Sequence, residues 1–292
     1  MSDLISSIDS FSHQGYSEFN KRNHYNEDRL VIGRSIFAVI DGATALVPLE
    51  KDGLNASAYT SKFLSHYLYN QDETDFSAQT LLLNANKAFR EYLEKEWPEV
   101  LDVGKLGPCA AVSLIKIHNK KKATISNISD CGIVTLNKDT EFEQISQHYA
   151  RHAELDEELA NAIFEELDKG LPIAEVKKLP QIVKRLTNNR SLINVEYGKF
   201  SAEEVMKDFT FEKKIDLTNI KTICLFSDGL LWPEEKDEKS AMLRAARFIN
   251  ELGVSAYYKK LKALKDSDPD FKRFRRLKHM DDASGLLITL ND

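Results

Sequence analysis

The chain is 292 residues long with 42% apolar and 29% charged side chains, which excludes a disordered or fibrous polypeptide and suffices for one large core or two smaller ones. Its 40 basic and 46 acidic residues leave a net charge of −6, so no global positive field exists, and neither nucleic acid nor a membrane is expected as a partner. The longest run free of Asp, Glu, Lys and Arg, 76–86, is too short and polar to span a bilayer, and the opening MSDLISSIDSFSHQG lacks the basic-then-apolar pattern of a secretory signal; a cytoplasmic location is expected.

Short β-rich runs come first: LISSIDSF at 4–11, LVIG, and SIFAVI ending at Ile40, where the Asp41-Gly42 pair is expected to break the strand. Ala56, Tyr59, Phe63, Leu64, Tyr67 and Leu68 recur at three- and four-residue spacing, as do Leu81, Leu82, Ala85, Ala88, Phe89, Tyr92 and Leu93, predicting two antiparallel amphipathic helices. AAVSLIKI, KKATISNIS and CGIVTL are β-branched runs with short links, predicting an antiparallel meander in mid-sheet. The stretch 152–190 turns helical, with Leu155, Leu159, Ile163 and Leu167 on one stripe and an interruption at Gly170 and Pro172. TICLFS at 222–227, a long helical stretch from Ser240 to about Lys265, and GLLITL at 285–290 follow. Strands before and after each helical block predict one interleaved α+β domain over 1–292, with a helical insert or flap at about 152–200. Cys109, Cys131 and Cys224 lie far apart among β-formers and read as buried reduced thiols.

Carboxylates recur just outside the apolar β runs: Glu27-Asp28 before LVIG, Asp41 after FAVI, Asp130 after ISNIS, Asp228 after ICLFS, and Asp281-Asp282 before GLLITL. A single Asp in such a place is a turn or cap residue. Several that converge repel one another and need cations, and oxygen ligands without His or Cys favour Mg²⁺ or Mn²⁺.

NEDR at 26–29, FAVIDGAT at 37–44, SDGLL at 227–231 and DDASGLLITL at 281–290 resemble, in order and spacing, the motifs of the type 2C metal-dependent protein serine/threonine phosphatases. GPCAAVSLIKI followed by ATISNISDCGIVTL resembles, in degraded form, that family's small-residue strand and its Gly-Asp-Ser-Arg hairpin. The resemblance implies a four-layer α-β-β-α sandwich of two antiparallel sheets flanked by helices, with a metal cleft at one end. It implies that Asp41 bridges two Mg or Mn ions, that the Gly42 carbonyl completes one shell, and that Glu27 and Asp28 bind directly or through water. Asp228 and Asp281 would hold the other ion, Asp282 would support them, and Asp130 matches the family's site for a third, weaker one. The family commonly places an Arg shortly before its acidic motif to grip phosphate; Arg22 fits, with Lys21 as substitute.

The sequence also departs from the family pattern. Ala43 stands where many members carry a His that protonates the leaving group, Thr44-Ala45 replaces the second Gly of that loop, and Cys131-Gly132 replaces the hairpin Ser-Arg. The segment 185–200 lies where the family has a variable flap, so Arg185, Arg190, Asn194 and Tyr197 are either a second phosphate or peptide contact or a structural turn. FKRFRRLKH at 271–279 is spaced for a helix with Phe271, Phe274 and Leu277 inward and a solvated basic face. His24, His118, His148 and His152 share no metal spacing and are assigned to surface or loops; His279 lies near Asp281 without an assigned role. The resulting reading is a phosphomonoester hydrolase acting on phosphoserine and phosphothreonine proteins. Its rivals are a catalytically weak phosphoprotein-binding module and a phosphatase of a small metabolite.

Overall fold

The computed structural model describes residues 4–16, 25–147, 150–235, 237–274, 276 and 278–291. Strands β1 (Ile5–His13), β2 (Arg29–Ile32) and β3 (Ile36–Ala43) are followed by the small hairpin β4 (Glu50–Lys51) and β5 (Leu54–Asn55) and by helices α1 (Ala56–Asn70), α2 (Ala78–Glu96) and α3 (Glu99–Asp102). Next come β6 (Cys109–Ile117), β7 (Lys122–Ile128), β8 (Gly132–Asn137) and β9 (Phe142–Gln144), then α4 (Ala150–Leu167), α5 (Ile173–Val176) and α6 (Pro180–Ser191). Strands β10 (Phe211–Asp216) and β11 (Ile220–Phe226), helices α7 (Glu238–Leu252) and α8 (Val254–Asp266), and β12 (Ala283–Leu290) complete the set. No helix among the described residues is long and apolar enough to cross a membrane.

The strands form two five-stranded sheets, ordered β1-β12-β11-β8-β9 and β10-β7-β6-β3-β2, with every pairing antiparallel. Alternation along each strand explains the layering. In β3, Phe37 and Val39 join Ile115, Ile125, Ile133, Ile223, Leu225 and Leu286 between the sheets, while Ile36, Ala38 and Ile40 face Leu64, Leu68, Leu81 and Phe89 of α1 and α2. In β11, Ile223 and Leu225 face inward and Cys224 and Phe226 pack under α7 and α8 with Met242, Ile249 and Tyr257. Both faces of the central strands are buried, which is why they read as continuous apolar runs. The expected four-layer α-β-β-α sandwich is what forms, and the three cysteines are buried and free.

Some local expectations fail, each for a physical reason. The predicted meander is split: β6 and β7 pair in one sheet, whereas β8 pairs with β11 and β9 in the other. Ser129, at φ +67, turns the chain out of its sheet before Asp130, and Ser113 Oγ donates to Cys131 O at 2.6 Å across the gap. Strand β3 does not stop at Ile40; Asp41 and Gly42 stay paired with Ala111 and Ala110. The helical stretch from Ser240 breaks at Gly253, whose φ of +81 suits glycine, and Asp9 Oδ2 accepts from Val254 N at 2.7 Å to cap α8.

None of the described residues of 271–279 is helical, because Asp268 takes the backbone N–H groups of Lys272, Arg273 and Phe274 at 2.9–3.0 Å and Arg276 Nη1 at 2.8 Å. Phe271 and Phe274 are buried as expected, but Arg276 is buried with them instead of lying on a solvated face; Leu277 lies outside the described residues.

Candidate metal centre

At one end of the sandwich a cleft of about 490 Å³ opens between the strand ends and helices α4–α6, and Asp41, Asp130, Asp156, Asp228 and Asp281 line it. A larger groove, about 930 Å³, runs along β9 and β10 but gathers no comparable carboxylate cluster. Each cleft carboxylate arrives for a local reason. Asp41 is held in register by Ala111 of β6, a small neighbour that leaves room for it. Asp228 opens a single 3₁₀ turn where β11 ends, and Asp281 sits in the two-residue approach to β12.

Asp28, just before β2, is 1% exposed; its Oδ2 accepts from Ser227 Oγ at 2.8 Å, while its Oδ1 is buried with no hydrogen-bond partner among the described residues. Burial first, and then repulsion from Asp282, Asp228 and Asp281, pushes its carboxyl well above the usual range. Burial and the neighbouring carboxylates do the same to Asp41. Asp228 is pushed up to about 7 by burial and by Asp281 and Asp130, against the opposing pull of Lys278 and a hydrogen bond with Asp41. A set of dehydrated, mutually repelling carboxylates with an orphaned oxygen is what hard divalent cations such as Mg²⁺ or Mn²⁺ relieve, so the residues present fit such ions.

Glu27 and Asp282 stand behind this group. Glu27 is 3% exposed, and its carboxylate accepts from Thr44 Oγ1 at 2.8 Å and Asn55 Nδ2 at 2.6 Å, so both oxygens are engaged by the protein and its carboxylate does not line the cleft. Asp282 accepts from Gly15 N at 2.6 Å and Glu27 N at 2.7 Å, tying the end of β1 and the Glu27 loop to β12. Gly42 lines the cleft, and a Cβ there would meet Glu27 O at 2.7 Å and Ser57 O at 3.0 Å, so only glycine lets α1 and the Glu27 loop approach β3.

On the opposite wall Asp130 is compensated. Its Oδ2 lies 3.4 Å from His152 Nδ1 and its Oδ1 3.7 Å from Lys199 Nζ. Burial alone would push its carboxyl up, but Lys199 and His152 outweigh it and hold it at about 2. His152 Nε2 lies 3.6 Å from Asp156 Oδ2, and ligand atoms of Asp130, His152 and Asp156 all fall within 4.8 Å of one another. Burial lowers the pKa of His152, so the ring is neutral near pH 7 and keeps a lone pair to offer.

His152 is therefore not the surface or loop residue that the sequence suggested; it is 8% exposed in α4 and packs on Tyr197 at 4.6 Å. The signal was present, since His152 continues the Leu155, Leu159, Ile163 stripe. Of the flap candidates, Arg190 lines the cleft and donates to Cys109 Sγ at 2.7 Å and to Thr44 O, and Tyr197 lines it too. Asn194 is a structural turn, at φ +54 with its side chain bonded to Ser201, Glu203 and Lys199 N, and Arg185 is exposed.

His279 binds Asp266 at 3.0 Å instead of the carboxylate group, and His118 meets Thr124 Oγ1 at 3.0 Å. Lys21, Arg22, His24 and His148 lie outside the described residues. Sequence reasoning missed three lysines on the cleft wall, Lys177, Lys199 and Lys278; only Lys278, three residues before Asp281, stands near a motif.

Among solved structures, this chain superimposes over its whole length on the catalytic domain of the serine/threonine protein phosphatase PstP in complex with two manganese ions, with a TM-score of 0.57, 16% identity, and 99% and 100% of the two chains covered. The fold is that of bacterial serine/threonine phosphatases. The phosphatase Stp1 from Staphylococcus aureus matches with a TM-score of 0.55 and 15% identity over 99% of this chain and 96% of that one. PstP/Ppp from Mycobacterium tuberculosis matches with 0.54 and 17% over 99% and 100%. No family model and no curated protein matches the sequence. The phosphatase resemblance read from the four motifs is thus borne out as a fold.

Proposed function

We propose that the chain is a divergent type 2C phosphatase, a metal-dependent phosphomonoester hydrolase of the cytoplasm that acts on phosphoserine and phosphothreonine in proteins. The observation that carries this reading is the convergence of Asp28, Asp41, Asp228 and Asp281, with Asp28 Oδ1 buried and unbonded among the described residues. Asp41, the Gly42 carbonyl, Asp28, Asp228 and Asp281 would together hold two Mg or Mn ions, Asp41 as the ligand shared by both. Glu27, held by Thr44 and Asn55, would reach an ion through water. Asp130, with His152 and Asp156 as added ligands, is the candidate for a third ion. When bound, such ions would supply a water acidic enough to attack phosphorus and would neutralise the phosphoryl oxygens.

The protein's own part is positional. Asp282 fixes the spacing of the β1 and β12 ends by its bonds to Gly15 N and Glu27 N, and Ser227 orients Asp28. Helices α4–α6 with the turn to Lys199 would act as a flap walling the cleft within a single domain over 1–292. Arg190 and Lys177, on that wall, would meet the anionic substrate, with Arg22 as the expected N-terminal phosphate grip. Ala43, packed against Cys109, Leu155 and Tyr197, offers no proton, so the leaving group would take its proton from water.

The second reading, a phosphoprotein-binding module with weak catalysis, draws support from the ammonium groups already paired with Asp130 and Asp281. The deciding experiment is hydrolysis of p-nitrophenyl phosphate and a phosphothreonine peptide by metal-stripped protein, titrated with Mn²⁺ or Mg²⁺, beside Asp41→Asn. Metal-restored turnover that the variant loses is expected; stoichiometric metal binding without turnover of either compound would favour the binding module.

A further inference from the structure

The two halves of the carboxylate group are not equally supplied with positive charge. Around Asp28, among the described residues, the carboxylate itself meets only the Ser227 hydroxyl and other carboxylates and leaves Oδ1 unbonded, while the nearby Arg29 guanidinium feels its charge but donates to its main-chain carbonyl at 2.6 Å. Around Asp281 the protein brings its own cations. Lys278 Nζ donates to Asp281 Oδ1 at 2.6 Å and is further favoured as an ammonium by Asp228 and Glu27. Lys265 approaches from α8, with Nζ 3.4 Å from Gly229 O and its charge felt by the same two aspartates. An ammonium at 2.6 Å uses the oxygen a divalent cation would need, and two cations on one carboxylate oxygen repel strongly. Lys278 belongs to the loop before β12, and its side chain is 33% exposed beside an Asp281 that is 31% exposed; burial disfavours its charge and Asp281 restores it, so rotation of its own side chain is the route by which an incoming ion displaces Nζ.

We propose that Lys278 is a tethered internal competitor for one of the two divalent cations: the half-site at Asp28 and Asp41 fills first, and an ion binds at Asp281 only by displacing the Lys278 ammonium. This rests on the reading of the cleft as a binuclear metal centre, and it adds that the two affinities are separated by a residue of the protein itself. An ion-paired lysine at the second position makes loading of the centre graded in metal concentration instead of concerted.

The test is calorimetric titration of Mn²⁺ into metal-free wild type, Lys278→Gln and Lys278→Arg, with thermal melts of each metal-free protein to confirm folding. Wild type should show a tighter and a weaker event; Lys278→Gln should strengthen the weaker at least tenfold and leave the tighter within twofold, and Lys278→Arg should behave like wild type. A weaker event unchanged in Lys278→Gln overturns the proposal while leaving the metal centre intact, whereas absence of Mn²⁺ binding to all three overturns both. A readout on wild type alone serves if the variants misfold. Acetylation of Lys278 by acetic anhydride, followed by mass spectrometry, should rise several-fold at saturating Mn²⁺, when the amine leaves Asp281; a rate unmoved by Mn²⁺ overturns the competition.

Discussion

The two walls of the cleft carry the same kind of side chain in opposite electrostatic states. On the sheet wall, Asp41 and Asp228, with Asp28 buried behind them, crowd one another, so their carboxyls are pushed up, Asp228 to about 7. Opposite them Asp130 is half-buried and also penalised by burial, yet Lys199 and His152 hold it at about 2. Burial acts alike on both, and the decisive difference is which neighbours the fold delivers: further strand ends on one side, and on the other a lysine from the chain after α6 with a histidine from α4. A wall whose crowded carboxylates outweigh the lysines it brings, Lys278 and Lys265, suits divalent ions, and a compensated wall suits holding the helical segment in place.

Substitutions at either wall should separate these roles, and the largest effect is expected at Asp41. Asp41→Asn should lower metal-dependent turnover by about a thousandfold or more, as loss of a central electrostatic element does. The same variant, metal-free, should melt at or above the wild-type temperature because one repelled charge is gone. Wild-type turnover in that variant would sink the metal-centre assignment. On the compensated wall the sign reverses: Lys199→Met strands a buried Asp130 charge and should cost about 3 kcal/mol in urea unfolding. A loss below about 0.5 kcal/mol would mean that the pair is no better than a solvent-exposed one.

The contrast extends to pH in metal-free protein. Asp228 binds its proton more tightly folded than unfolded, so between its unfolded value near 4 and about 7 the folded state carries the extra proton, and stability should fall as pH rises through that window. Asp130 is depressed, so its contribution is present above about 4 and is lost as pH falls toward about 2. Melting temperature should therefore rise on going from pH 8 to 5 and drop below pH 4, and saturating Mn²⁺ should flatten the upper limb. A metal-free profile flat from 5 to 8 would contradict the crowding on the sheet wall. The smallest effect is expected away from both walls: Gly253→Ala, at φ +81 with a new Cβ 2.8 Å from Asp9 Oδ2, should cost about 1–2 kcal/mol and leave turnover unchanged.

How far the sequence could be read follows from which interactions are local. Helices α1 and α2 were legible because a stripe of apolar residues at helical spacing has one structural meaning, and the strand-end acids were legible because motif order along the chain survives divergence. The separation of β7 from β8 was not, since a hairpin and a crossing between packed sheets look alike as strand, short link, strand; Ser129 decides it through a backbone angle. Arg276 reads as a surface cation until Asp268 draws it and three backbone N–H groups inward. His152 and Lys199 carry no spacing signal to Asp130, which acquires those neighbours by folding, whereas Lys278 stands only three residues before the Asp281 it meets.

By itself, then, the sequence determined the alternating apolar runs that make a helix-flanked double sheet, and the positions along the chain from which carboxylates emerge at strand ends. Periodicity and turn chemistry act over a few residues, and that range is sufficient for both. Only the tertiary structure decided that Asp28, Asp41 and Asp228 crowd together with the more exposed Asp281 beside them, that Glu27 turns to Thr44 and Asn55, and that lysines stand against Asp130 and Asp281. Apart from Lys278, which is only three residues from Asp281, those outcomes depend on groups meeting within a few ångströms after longer stretches of chain have closed, and electrostatic interaction follows distance in space with no regard for distance in sequence.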